Sequence, residues 1–195
     1  MDKHDVIAFF DHCAKNWDAE QVDRSAVIGK ILDNARIGEG DEVLDVACGT
    51  GIMFPHYLAR GAAAVTGIDI SGEMAMRAEE KFANEERVRV LCGDVEETIL
   101  GCRFDHVVVY NAFPHFPDPA RLIGRLSLLL RPEGRLTIAH GWSRERINAH
   151  HAGAAQKVSN GLMEAEELSA LFAPYFTVDT VISDDEMYQV SGTVR

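Results

Sequence analysis

Long hydrophobic runs are the first thing missing from this sequence. No apolar stretch reaches the roughly 18 residues that a membrane-spanning helix requires, so no membrane association is expected. Basic residues are also scarce. The chain has 19 Lys and Arg against 31 Asp and Glu, a formal net charge of −12. Affinity for nucleic acid comes largely from lysine and arginine displacing counterions from phosphates, so nucleic acid is not an expected partner. Arg121, Arg125, Arg131 and Arg135 fall along one predicted helix and the turn after it, and read as a solvated face. The four cysteines, Cys13, Cys48, Cys92 and Cys102, include no C-x-x-C pair. Reduced thiols are therefore expected. The opening Met1-Asp-Lys-His-Asp5 lacks the basic-then-apolar profile of a secretion signal, which makes a cytoplasmic location the expectation. Internal repeats, low-complexity tracts and linkers are absent as well.

What is present suits one well-buried domain spanning 1–195: 47% of residues are hydrophobic and 26% charged. Apolar strand-like runs alternate with helical patterns, which predicts a parallel sheet covered on both faces. Helices are predicted over 5–16 and 22–36, ahead of a break at 38–40. Another follows Gly51 and runs to about Arg60. Ser71 is a good N-cap for a helix over 72–84. Asp118-Pro119 opens a helix that stops before Pro132, and Glu133-Gly134 is expected to turn the chain into a strand over 135–139. A short helix from 143 to 151, a small-residue stretch at 152–155 and a helix over 164–172 come next. Two strands, about 175–182 and 187–194, close the chain around a turn at Ser183-Asp184-Asp185.

The segment richest in chemistry is Val43-Leu-Asp-Val-Ala-Cys-Gly-Thr-Gly51, an apolar strand with a carboxylate near its end that feeds a turn of small residues. Such a turn lets backbone N–H groups approach a ligand closely. A second strand, Val65 to Ile70, carries Asp69 about 20 residues further on, where dinucleotide-binding folds place a ribose-binding acid. A third, Val88 to Leu91, runs into Cys92-Gly-Asp-Val95, and a fourth is Phe104 to Asn111. A nicotinamide site would want G-x-G-x-x-G, whereas residues 47–52 read Ala-Cys-Gly-Thr-Gly-Ile.

Taken together, the VLDVACGTG loop, the VTGIDIS strand end, the CGD turn, and NAFPHFPDP followed by LLLRPEGRL resemble the class I S-adenosylmethionine-dependent methyltransferases, in the small-molecule branch called type 11. The likeness is good over about 38–140. It implies a Rossmann-like, seven-stranded, mostly parallel sheet in the order 3-2-1-4-5-7-6, with helices on both faces. It also implies S-adenosylmethionine as cofactor, with S-adenosylhomocysteine as product, and a small-molecule methyl acceptor. The family's first loop glycine is Ala47 here. Carried over position by position, Asp45 would face the cofactor's methionine end, directly or through water, and the backbone of Ala47, Cys48, Gly49 and Gly51 would approach it. Asp69 would take the ribose hydroxyls beside Ile70. Asp94 would accept the adenine amino group and Val95 N–H would donate to the ring. Asn111 and Ala112 would border the methionine portion.

The acceptor is expected after strands four and five and under the first helix. Its catalytic candidates are His140, at the end of strand five, His115 and Tyr110. His115 matches a histidine common in this branch, where a loop-shaping role competes with that of a general base. Phe9, Phe10 and Trp17 match a family segment that often folds over the cofactor as a lid, the alternative being an amphipathic helix packed on the core, and residues 141–162 are expected to form the acceptor-side segment. His150 and His151 are neighbours, about 100° apart on a helix, so only one is expected to face a given site. A metal held by His115, His140 and one of this pair lacks support in the spacing, and none is expected. The chain is read as a monomer or homodimer. The alternatives are methylation of a protein or nucleic acid, or non-catalytic binding of the cofactor or its product.

Overall fold

The computed structural model describes residues 1–152 and 156–195. Of the small-residue stretch expected at 152–155, all but Ala152 falls outside the described residues. Strands β1 (Glu42–Val46), β2 (Ala64–Asp69), β3 (Val88–Cys92), β4 (Phe104–Tyr110), β5 (Leu130–His140), β6 (Phe176–Ser183) and β7 (Tyr188–Val194) form one sheet. Its order is β3-β2-β1-β4-β5-β7-β6, as the resemblance implied. The first five strands pair in parallel, and β7 is antiparallel to both β5 and β6.

The helices are α1 (Lys3–Cys13), α2 (Ser25–Ala35), α3 (Phe54–Ala59), α4 (Gly72–Lys81), α5 (Pro119–Ser127), α6 (Arg144–His151) and α7 (Ala165–Phe172). Residues of α2 and α3 pack on one face of the sheet, where Ile28, Leu32 and Tyr57 meet Val43, Val65 and Val108. Leu122, Leu126 and Phe172 of α5 and α7 cover Leu44, Val107 and Val109 on the other. Neighbouring strand residues thus point to opposite cores, which is why the central strands read as continuous apolar runs. Burying each such side chain contributes about 1.5–3 kcal/mol.

Several element ends differ from expectation. The Asp23 carboxylate accepts both Ser25 N and Ser25 Oγ, at 2.9 and 2.6 Å, and this local turn delays α2 to Ser25. Strand β5 begins at Leu130, well before the expected Arg135. Its pairing with β4 shifts between Phe104 and His106, and Glu133 sits at φ 63°, so the Glu133-Gly134 pair is a bulge inside the strand. The β6–β7 turn is longer than Ser183-Asp184-Asp185, because Asp184 Oδ1 accepts both Glu186 N and Met187 N at 2.8 Å.

Of the four arginines only Arg121 is exposed, and each of the four holds a partner on the protein. Arg135 is buried and grips Asp179 through both terminal nitrogens at 2.8 Å. Arg125 donates to Val95 O and Thr98 O, at 3.2 and 2.7 Å, and Arg121 reaches Glu96 at 3.2 Å. These two pin the loop after β3 onto α5. Arg131 pairs with Glu42 and Asp105. The four cysteines are unpaired. No helix among the described residues is long and apolar enough to cross a membrane.

Candidate active site

At the carboxyl ends of β1 and β4 the strand order reverses, and open α/β sheets bind ligands in the crevice there. Ala47, Cys48 and Gly49 follow β1 along that crevice, and Asp69 and Ile70 follow β2. Asp94 and Val95 come after β3, and Asn111 and Ala112 after β4. The space is narrow, about 110 Å³, because α1 lies over it and contributes Lys3, Val6 and Phe10.

The loop geometry shows what the turn requires. Ala47 and Asn111, facing each other across the switch point, both adopt φ 54°. Asparagine tolerates the left-handed region, but an alanine there costs about 1 kcal/mol, so a glycine would be more comfortable at position 47. Ala47 thus carries a demand on the backbone, and its side chain packs against the core. Gly51, at φ 78°, does not line the crevice. A Cβ there would stand 2.8 Å from the rings of Phe54 and Phe82, so its role is to close the turn against α3 and α4.

Asp69 is buried, and its two oxygens accept Gly49 N and Ser71 N, each at 2.8 Å. Burial raises its pKa to about 6, and the two N–H bonds pull the other way. The acid therefore ties the β1 loop to the β2 loop and also lines the crevice. Asp45 does not line it. Its side chain is fully buried beneath the loop, Oδ2 has no partner, and burial with the nearby Asp69 holds its pKa well above the usual value. Of the two expected arrangements for Asp45, direct or through water, its place in the supporting wall, near the unpartnered Tyr57 hydroxyl, does not match the direct one.

The N-terminal segment is latched at three points. Lys3 pairs with Asp94 and, at 3.1 Å, with Glu96. Asp11 accepts Ser71 Oγ at 2.5 Å and Glu73 N at 3.2 Å. Asp18 accepts Thr50 Oγ1 at 2.5 Å and meets Lys81 at 2.7 Å. Each latch joins the segment to a loop or helix that borders the crevice.

Tyr110, Asn111 and His115 line the crevice and also border a second cavity, of about 660 Å³, walled by Phe9, Phe10, Trp17 and Trp142. His115 Nδ1 lies 2.6 Å from Val158 O. A carbonyl can only accept, so Nδ1 carries the proton and Nε2 is left as a basic lone pair. Burial lowers the pKa of His115, and the bond to Val158 opposes this, so the ring is neutral near pH 7. Burial raises the Tyr110 phenol to about 12. The Tyr110 hydroxyl lies so close to Gly141 that a Cβ there would stand 2.2 Å from it.

His140 lines neither cavity. It is fully buried, neither ring nitrogen has a partner, and its ring lies 6.0 Å from that of Tyr188. Burial, reinforced by the neighbouring His115 and His151, lowers its pKa to about 3. On β5 it shares a face with Leu136 and Ile138, and this alternation turns it into the core. His151 packs on His115 at 5.0 Å, bonds Ser159 Oγ at 2.8 Å and is lowered to about 4, mainly by burial. Both His150 and His151 border the second cavity, against the expectation that only one would. Among the described residues, no three His, Cys, Asp or Glu side chains come together as a metal-binding group. Trp142 and Arg146 border the second cavity from within the expected acceptor-side segment, whereas Lys3, Arg24 and Glu96 border the two cavities without having been singled out.

The sheet order and the switch-point crevice define a Rossmann-like fold of the methyltransferase kind. Residues 44–138 match the Methyltransf_11 family, described as a methyltransferase domain. A malonyl-[acyl-carrier protein] O-methyltransferase of Acetivibrio thermocellus is 31% identical over 142 residues, 71% of this chain and 50% of that protein. A ubiquinone biosynthesis O-methyltransferase of Coxiella burnetii is 34% identical over 101 residues, 50% of this chain and 42% of that protein. The chain thus spans about half the length of the curated relatives it matches. The N-methyltransferase NodS from Bradyrhizobium japonicum, solved with S-adenosyl-L-homocysteine, superposes with a TM-score of 0.75. It covers 96% of this chain and 97% of that one at 13% identity, a likeness of fold. Over residues 44–138 the chain is a methyltransferase domain of the type 11 branch of the class I S-adenosylmethionine-dependent methyltransferases, and S-adenosylmethionine is the cofactor of that class.

Proposed function

We propose that the chain methylates a small molecule held in the second cavity, with S-adenosylmethionine in the adjoining crevice. The observation that carries this reading is that Tyr110, Asn111 and His115 border both spaces, so a methyl donor in one would face an acceptor in the other. The residues present suit such a cofactor. Acids end β2 and β3, where hydroxyl and amino donors are to be met. The left-handed backbone at Ala47, Gly49 and Asn111 leaves the crevice wall thin. When bound, the cofactor supplies an activated methyl on a cationic sulfur.

In this reading Asp69 takes the ribose hydroxyls, and Asp94 with Val95 takes the adenine edge. Ala47, Cys48 and Gly49 border the methionine portion, with Asn111 and Ala112 opposite. Gly51 and Asp45 support the loop from behind. Because Lys3 now pairs with Asp94 and the crevice is smaller than an ordinary ligand site of roughly 300–1,000 Å³, α1 has to open for entry. Once closed, it excludes water and shields the reacting groups. His115 is the better candidate for proton removal, since Nε2 is basic and the residue borders both cavities, whereas His140 is buried behind it. Tyr110 orients the acceptor. Catalysis otherwise rests on alignment of donor and acceptor.

The test is transfer of a tritiated methyl group from S-adenosylmethionine to fractions of a cell extract. Label in the low-molecular-mass fraction is expected. Label confined to protein or nucleic acid would overturn the small-molecule reading, and no transfer despite tight cofactor binding would favour a non-catalytic binder.

A further inference from the structure

The second cavity has a chemistry of its own. Phe9, Phe10 and Trp17 form one wall, and Trp142 with Ile147 forms another. Flat aromatic walls favour a planar, conjugated guest. At the rim the Trp142 indole meets two guanidinium groups, Arg24 at 3.9 Å and Arg146 at 3.3 Å from the ring centroid. Two groups so near one centroid would overlap if they shared a face, so the ring is sandwiched between them.

The two arginines differ in what else they hold. Arg24 is tied down, donating to Gly141 O at 2.7 Å and Glu186 O at 2.9 Å. Arg146 is exposed, and among the described residues no carboxylate lies within salt-bridge distance of it. Among the described residues Arg146 thus stands at the cavity mouth with neither an acid nor a carbonyl holding it, unlike Arg24. Stacking on Trp142 fixes the plane of the guanidinium and leaves its edge donors available, the arrangement that suits a two-oxygen anion. His150, one turn further along α6, borders the same cavity. Two acids, Glu20 and Asp23, also border it, but Asp23 is occupied by Ser25.

We propose that the acceptor is a planar aromatic or conjugated molecule bearing a carboxylate-like anionic group, its ring between the aromatic walls and its charge on Arg146. This rests on the reading of the second cavity as the acceptor site. The binding determinant is charge and shape together: the ring supplies apolar contact, and the anion sets which end faces the rim.

The test is calorimetry on the intact chain saturated with S-adenosylhomocysteine, using three probes of one ring: 2-naphthoate, 2-naphthol and 2-(aminomethyl)naphthalene. The naphthoate is expected to bind about tenfold more tightly than the naphthol, the scale of one charge-assisted hydrogen bond. Arg146→Gln should bring the naphthoate down to the level of the naphthol and leave the naphthol unchanged. Arg146→Lys should keep part of the preference, and Arg103→Gln, an exposed site outside the cavity, all of it. Arg146 is on the surface, and an unchanged melting temperature checks that its variants fold. Equal binding of all three probes, tightest binding of the amine, or a preference that survives Arg146→Gln would overturn the proposal. If S-adenosylhomocysteine binds and no probe does, the proposal falls and the cofactor site stands. If S-adenosylhomocysteine itself fails to bind, both fall.

Discussion

The crevice after β1, β2 and β3 and the cavity beneath α1 share a wall but are built in different ways. The crevice is made of strand ends, and its key contacts join loops already adjacent in the sheet, such as Asp69 with Gly49 N and Ser71 N. The cavity is made of side chains from distant segments, Phe9 and Trp17 on one side and Trp142 and His151 on the other. The first kind of site keeps its shape through backbone geometry, the second through packing. Substitutions in the two should therefore fail differently.

The largest effect is expected on the shared wall. His115→Asn retains a donor for Val158 O but removes the Nε2 base, and should lower kcat by about 10²–10⁴ once an acceptor is known, with cofactor affinity nearly unchanged. His140→Phe should cost little activity and leave stability equal or higher, because an unpartnered buried imidazole gives way to an apolar ring. Comparable losses of kcat in both variants would break the distinction between the lining and the buried histidine.

Next in size, Asp69→Ala should weaken S-adenosylmethionine binding by roughly 10–100-fold in calorimetry, the scale of losing hydrogen bonds to a charged acceptor. Probe binding in the second cavity should stay nearly the same. Unchanged cofactor affinity would remove Asp69 from the ribose role and leave it only its tie to Gly49 and Ser71.

A smaller effect is expected from pH. Asp69 titrates at about 6 in the free protein against a usual 3.8. Ribose hydroxyls donate better to the ionised form, so cofactor affinity should rise by about tenfold between pH 5 and pH 7 and then level off. Asp69→Asn should flatten that rise. For the free fold the sign is opposite. The raised value is a stabilisation that is present below pH 3.8 and lost as the pH climbs through about 6. Thermal melts with and without cofactor should therefore diverge across that window.

The smallest effect separates backbone from side chain. Ala47→Gly relieves the left-handed alanine and should raise stability by up to about 1 kcal/mol in urea unfolding, less the added freedom of the unfolded chain. Destabilisation instead would mean that the Ala47 methyl packs usefully against its neighbours.

Much of the crevice was legible in the sequence because strand, turn and acid follow one another within a few residues. The β1 loop, the acid of β2 and the turn after β3 each announce themselves locally, and parallel pairing brings their ends together. Asp45 and Gly51 were legible as members of the loop but not as its hidden supports, since facing inward or outward is settled by what packs beneath. His140 illustrates the same limit. Its position at a strand end was readable, yet alternation with Leu136 and Ile138 turned it into the core. The arginines of α5 and β5 read as surface because charge usually is, and only the neighbouring carbonyls and acids revealed them as pins.

The sequence by itself determined the strand–helix alternation, the sheet order through its resemblance, and the loops where a nucleoside-bearing cofactor would lie. Those features depend on contacts between neighbours in the chain and on one topology. Tertiary structure alone decided that His115 borders both cavities while His140 borders neither, that Lys3 reaches Asp94, and that Arg24 meets the Trp142 ring. Unlike Trp142 and Arg146, which are four residues apart at the start of α6, these contacts join residues far apart in the chain, and only the packing of α1, α2 and α6 against the strand ends brings them together.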